Sequence, residues 1–197
     1  MSRFNPNHCW YNLNVNTNQT INSNFQWPVV NKNGRNMIWH YSNPSEIFSQ
    51  TWLDLAKSIG LDIGGVMLFW RPAKFQNVDA HVDVLSNNPS KSAIAGLNIV
   101  VKGRGSEMAW YKKPAGEHEI KWTMAKTPYL TWPVKDLEEI ERKELGMDLT
   151  MVRVDVPHAI FCSDEDRWCI SARFMQNFPD WETAVKAMYY RELLVSR

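Results

Sequence analysis

VPHAIFCSDEDRWCISARF, residues 156–174, decides the fold. Its last eight residues alternate strictly. Arg167, Cys169, Ser171 and Arg173 fall on one face of a strand, and Trp168, Ile170, Ala172 and Phe174 on the other. The second face must be buried against something apolar, such as a helix. The first face carries two arginines and a serine, so it needs water or a polar interior. A barrel lumen that holds a charged ligand meets that need, and so does an edge strand with one solvated face. Upstream, Pro157 fixes the backbone just before His158 and suits a rigid strand entrance.

Moving outward, short apolar segments recur between turn signals. Residues 150–156 alternate around three valines and predict a strand. Residues 94–102, IAGLNIVVK, predict another, closed by Gly103-Arg104-Gly105. Residues 106–112 predict the next strand, and 117–124 complete its hairpin. Residues 64–72 form a strand ended by Pro72, while NNPSKS (87–92) reads as turn material. KDLEEIERKEL (135–145) is charged and reads as a short exposed helix or helical loop. A helix is predicted over 45–59, with Phe48, Trp52, Leu55, Ala56 and Ile59 at helical spacing and Gly60 as its stop. A C-terminal helix is predicted over 180–194, with Asp180 as N-cap. Residues 1–36 form an Asn-rich extended arm with one or two short strands. Seven or eight short strands with flanking helices predict a mainly β protein. The architecture expected is a double-stranded β-helix (jelly roll, cupin-like). One domain over 1–197 is expected, with its β core at 63–175.

Composition narrows the function classes. At 197 residues the chain is long enough to bury a sizeable core. The net charge of +1 gives no electrostatic case for nucleic acid or an anionic membrane. No apolar run approaches a membrane span, and no secretory h-region is visible. Three cysteines without metal-type spacing fit a reducing cytoplasm rather than a disulfide scaffold. Ten tryptophans point to a core dominated by large aromatics. His8 and Cys9, adjacent in the arm, carry no expected role.

His81-Val82-Asp83 lies 75 positions before His158. On a strand, His81 and Asp83 point to the same side and can reach one metal. Taken alone, the triplet also fits a surface turn, because Asp79-Ala80 before it is loop-like. Two imidazoles and one carboxylate on one face of an iron leave three coordination positions for a co-substrate and oxygen. Arg167, nine residues after His158, adds a guanidinium that can grip a carboxylate in a planar fork. His118, between Glu117 and Glu119, is a weaker alternative ligand, with no strand arginine placed after it.

The order HxD…H…R resembles that of the Fe(II)- and 2-oxoglutarate-dependent oxygenases, in the aspartyl/asparaginyl β-hydroxylase-like or prolyl-hydroxylase-like branch. GLNIVVKGRGSEMAWY (96–111) suits the middle of that pattern, and the resemblance spans about residues 63–175. It implies His81, Asp83 and His158 as ligands of Fe(II), and Arg167 as partner of the far carboxylate of 2-oxoglutarate. It further implies oxygen as co-substrate and hydroxylation of an amino-acid side chain, free or in a polypeptide, with release of succinate and CO2. The chain departs from the pattern in lacking an Arg-x-Ser motif. Arg173 therefore competes as the co-substrate anchor. It lies about 20 Å beyond Arg167 along an extended strand, so both cannot grip one carboxylate. Asn98 interrupts an apolar strand and either touches the co-substrate or satisfies backbone groups. Two other readings use the same fold: a cupin-like metalloenzyme that uses no oxo acid, and a metal-free binding or structural protein.

Overall fold

The central strand of the larger hydrophobic core is the segment whose alternation is plainest, Arg167–Phe174. In the computed structural model the described residues are 5, 7–29, 31–33, 35, 37–85, 88–115, 119–122, 128–174 and 178–195. Among them the strands are β1 (Trp10–Asn12), β2 (Ile38–Ser42), β3 (Ile63–Arg71), β4 (Asp79–Leu85) and β5 (Asn88–Ser92). There follow β6 (Ala95–Lys102), β7 (Glu107–Tyr111), β8 (Glu119–Trp122), β9 (Pro128–Pro133) and β10 (Glu139–Glu144). The last are β11 (Thr150–Arg153), β12 (His158–Phe161) and β13 (Arg167–Phe174). The α-helices are α1 (Thr17–Thr20), α2 (Pro44–Ile47), α3 (Gln50–Ser58) and α4 (Trp181–Tyr189).

The strands make two antiparallel sheets, ordered β1-β11-β6-β13-β3-β2 and β10-β7-β12-β4-β9-β8, with β5 paired to β4. The chain passes back and forth between them: β3, β6, β11 and β13 lie in one, and β4, β7, β10 and β12 in the other. This is a jelly roll, with few helices beside its sheets.

Each face of β13 is buried as its alternation demands. Ile170 and Ala172 join Leu68, Leu97 and Ile99 in a core that also takes Trp52 and Ala56 from α3 and Trp181, Ala184 and Met188 from α4. Full burial of each such aliphatic side chain contributes roughly 1.5–3 kcal/mol. The opposite face sends Cys169 between the sheets. There it meets Val100 and Val152 from its own sheet and Met108, Trp110 and Ile160 from the other. Trp110 is fully buried, and its indole N–H donates to the Arg153 carbonyl at 2.8 Å.

Several elements depart from the sequence reading. Residues 139–144 form an edge strand on β7 rather than a helix. The alternating charges find partners across that edge: Arg142 pairs with Glu107 at 2.9 Å, and Glu141 takes His8 Nδ1 at 2.9 Å and the Cys9 N–H at 2.6 Å. Tertiary pairing overrides the helical propensity of Glu and Lys here. It also gives His8 and Cys9 a role in fastening the arm. The helix expected over 45–59 is split, because Phe48 is extended and bridges to Ile21 while Ser49 caps α3 through the Trp52 N–H. β8 pairs with β9, not with β7, whose edges are taken by β10 and β12. Residues 88–92, read as a turn, form a strand on β4. Among the described residues no helix is long and apolar enough to cross a membrane.

Candidate metal and anion site

β4 carries His81 and Asp83 on one side while Ala80, Val82 and Val84 are buried on the other. The triplet therefore lies within a strand, not in a turn. β12 runs antiparallel to β4, with His158 directly opposite His81, and the two imidazoles stand 4.3 Å apart between centroids. One ligand atom from each of His81, Asp83 and His158 can be chosen so that all lie within 4.8 Å of one another. His81 Nε2 lies 3.7 Å from Asp83 Oδ1. Tyr129 stands edge-on to the His81 ring, with centroids 6.0 Å apart.

The donor chemistry suits a divalent transition metal. His158 Nδ1 lies 3.0 Å from the Val156 carbonyl. That oxygen can only accept, so Nδ1 carries the proton and Nε2 keeps its lone pair for a ligand. Burial, then the neighbouring His158, pushes the His81 imidazole down to about 3, against the pull of Asp83. Burial likewise pushes His158 down, opposed by Asp83. Both rings are thus neutral at pH 7, the form that binds metal. Burial would raise the Asp83 carboxyl, but Arg173 and the two imidazoles outweigh it and hold the group well below the usual carboxylate range. Metal–ligand bonds of about 2 Å need only a modest inward movement of these atoms.

Arg173 comes from the other sheet. Its guanidinium donates to Asp83 Oδ2, to Ser171 Oγ at 2.8 Å and to the Ala172 carbonyl at 3.2 Å. Gly96 makes room for it: a Cβ there would stand 2.5 Å from Arg173 Nη1. Arg167 lies at the opposite end of β13, only 3% exposed, and its Nε has no hydrogen-bond partner among the described residues. Gly103, with φ +99°, lets the turn after β6 close over Arg167; a Cβ there would meet the Arg167 Cα at 2.7 Å. Asn98 is buried opposite Ser171 on one side and Thr150 on the other, and its Oδ1 is also unpartnered. The inner face of β6 and β13 is therefore polar along much of its length.

The structure brings His81, Asp83, His158 and Arg173 together, and sets Arg167 apart from Arg173 by six positions of strand. His118 lies outside the described residues. Sequence reading missed Arg71. It ends β3 directly opposite Arg167, and its parity with Phe69, the last aromatic of the inward-facing set, is the signal that could have found it.

Comparisons with solved structures give likenesses of low similarity. The E. coli protein ycfD is 17% identical, with TM-score 0.38, over 66% of this chain and 31% of that one. A Pseudomonas putida prolyl-4-hydroxylase is 9% identical, with TM-score 0.41, over 70% of this chain and 71% of that one. A vicilin from Corylus avellana (hazelnut) is 9% identical, with TM-score 0.37, over 73% of this chain and 31% of that one. The aligned region thus spans under a third of the ycfD and vicilin chains. No protein-family model matches the sequence, and no curated protein matches it.

Proposed function

We propose that this protein is an Fe(II)- and 2-oxoglutarate-dependent dioxygenase that hydroxylates an amino-acid side chain, free or in a polypeptide. The observation that carries the reading is the convergence of two imidazoles and one carboxylate inside a jelly roll. The substrate class follows from the resemblance of the HxD…H…R order to those oxygenases.

In this reading His81, Asp83 and His158 hold the iron. The iron with its oxo acid supplies oxidation of a substrate C–H bond by molecular oxygen, with succinate and CO2 leaving. The chain's own residues set the stage for that chemistry. Val156 holds the His158 tautomer through its carbonyl. Arg173 takes the outer oxygen of Asp83 and leaves Oδ1 turned toward the imidazoles. Arg167 anchors the far carboxylate of 2-oxoglutarate with a guanidinium that no protein acceptor occupies at Nε. Asn98, on the face shared with Ser171, contacts the co-substrate. Three free, buried cysteines suit a reducing compartment such as the cytoplasm.

The test is an anaerobic titration of Fe(II) and 2-oxoglutarate, read by the visible metal-to-ligand charge-transfer band of the chelate. The band is expected in the native protein and is expected to weaken in Arg167→Ala and His158→Ala. Bound iron without any band would replace this reading with that of a cupin-like metalloenzyme. No iron binding at all would leave a metal-free jelly-roll protein.

A further inference from the structure

Arg71 and Arg167 face one another across adjacent strands, a pairing that places both side chains on the same side of the sheet. That side is the inner one, since Cys169, two residues on, packs between the sheets and Phe69 packs against the same cluster. The Arg71 guanidinium stacks on Phe75 at 4.5 Å from the ring centroid. Among the described residues, neither guanidinium makes an ion pair or donates a side-chain hydrogen bond. The carboxylate next in sequence, Asp166, is taken by the Trp70 indole, Lys32 and the Ala73 N–H.

Two like charges drawn out of water and set opposite each other oppose folding unless an anion lies between them. Burial and the nearby Arg167 lower Arg71 to about 10, which leaves it charged at neutral pH. A guanidinium pair also matches a carboxylate in form, since each of its two oxygens can accept from a separate fork.

We propose that Arg71 and Arg167 act together as a clamp for one carboxylate of a dicarboxylic acid, with Arg71 as a second anchor beside Arg167. That the acid's other end points to the triad rests on the dioxygenase reading; the clamp itself does not. Arg71 is a binding residue, and its loss acts on affinity for the acid rather than on metal binding.

Glutarate is the probe, because it has two carboxylates but no 2-oxo group with which to chelate iron. Metal-free full-length protein is titrated with glutarate by calorimetry. In parallel, the Nε–H resonances of Arg71 and Arg167 are followed by NMR in the native chain. Both resonances are expected to shift along one saturation curve. Arg71→Leu is expected to weaken glutarate binding at least tenfold while keeping or raising the melting temperature, because it relieves a like-charge pair. Arg71→Lys is expected to fall between. Glutarate affinity unchanged in Arg71→Leu, or a shift at Arg167 alone, would overturn the clamp. Inorganic phosphate binding more tightly than glutarate would overturn the dicarboxylate class. The wild-type NMR result stands even where a variant does not fold. Glutarate held by both arginines without a charge-transfer band would keep the clamp and remove the dioxygenase. A band indifferent to Arg71→Leu in both intensity and 2-oxoglutarate affinity would do the reverse.

Discussion

Asp83 divides its two oxygens between two tasks. Oδ1 faces His81, and Oδ2 is held by Arg173 from the facing sheet. A carboxylate fixed in this way is pre-oriented to ligate through one oxygen, and the guanidinium keeps it ionised. This contact gives Arg173 a candidate role different from that of the co-substrate anchor competing with Arg167. The two roles separate experimentally. Arg173→Met is expected to weaken Co(II) affinity about 10–100-fold, the range found when a group orienting a metal ligand is removed. Affinity for 2-oxoglutarate in the metal-saturated variant is expected to hold. Isothermal titration measures both. Intact Co(II) affinity combined with lost oxo-acid binding would return Arg173 to the anchor role.

Among the elements, the N-terminal arm, read from sequence as Asn-rich and extended, is fastened at several points. Lys32 pairs with Asp166 at 3.0 Å and lies over the rings of Trp70 and Trp168 at 5.1 and 5.0 Å. Asp166 also accepts from the Trp70 indole at 3.0 Å and the Ala73 N–H at 3.2 Å, so it joins the arm to β3, to the loop after it and to the start of β13. The Trp70 bond lowers the Asp166 carboxyl most; desolvation, next in size, opposes it, and the Lys32 and Ala73 bonds add to the lowering. A carboxyl depressed in the folded state binds fewer protons there than in the unfolded chain. Its stabilisation is therefore complete above the unfolded value of about 3.9 and is lost as pH falls through the lower folded value. Asp166→Asn is expected to be less stable than the native chain at pH 7, with the gap closing below about pH 4. Urea midpoints between pH 7 and 3 check this, and a gap that stays constant to pH 3 would refute it. This arm, β10 and the break between α2 and α3 share a reason for being poorly legible in sequence. Each takes its form from a partner far along the chain: Asp166 for Lys32, Glu107 for Arg142, and Ile21 for Phe48. β3 and β6 were legible as short apolar runs bounded by turn residues, and β13 because its alternation is intrinsic. His81 and Asp83 were legible as a pair because i and i+2 on a strand share a face, whereas His158 joins them through the pairing of β12 with β4. Arg71 was not, because its meaning depends on lying opposite Arg167.

Across the whole molecule, the site lies at the seam where the strands of its own sheet are least joined by backbone. β12 meets β4 through the single register pair His158–His81, whereas its pairing with β7 runs through four residues. A metal held by His81, Asp83 and His158 would tie β4 to β12 at this seam, while the Arg173–Asp83 pair ties β4 to the other sheet. Metal binding should therefore stabilise the entire jelly roll rather than one hairpin. Ligand at a hundred times its dissociation constant adds about 2.7 kcal/mol when it binds only the folded state. For a chain of this size that corresponds to a rise in melting temperature of roughly 5–10 °C. Co(II) is the convenient probe, being stable in air and suited to imidazole and carboxylate ligands. The expected result is a single transition that moves upward with Co(II), returns on addition of a chelator, and does not move in the His81→Ala/His158→Ala double variant. Hydrogen exchange should show the gain in protection on both sheets. A metal-dependent shift that survives in the double variant would locate the binding elsewhere. Protection confined to β4 and β12 would mean that the seam closes without coupling to the second sheet, and that the Arg173–Asp83 contact does not transmit it.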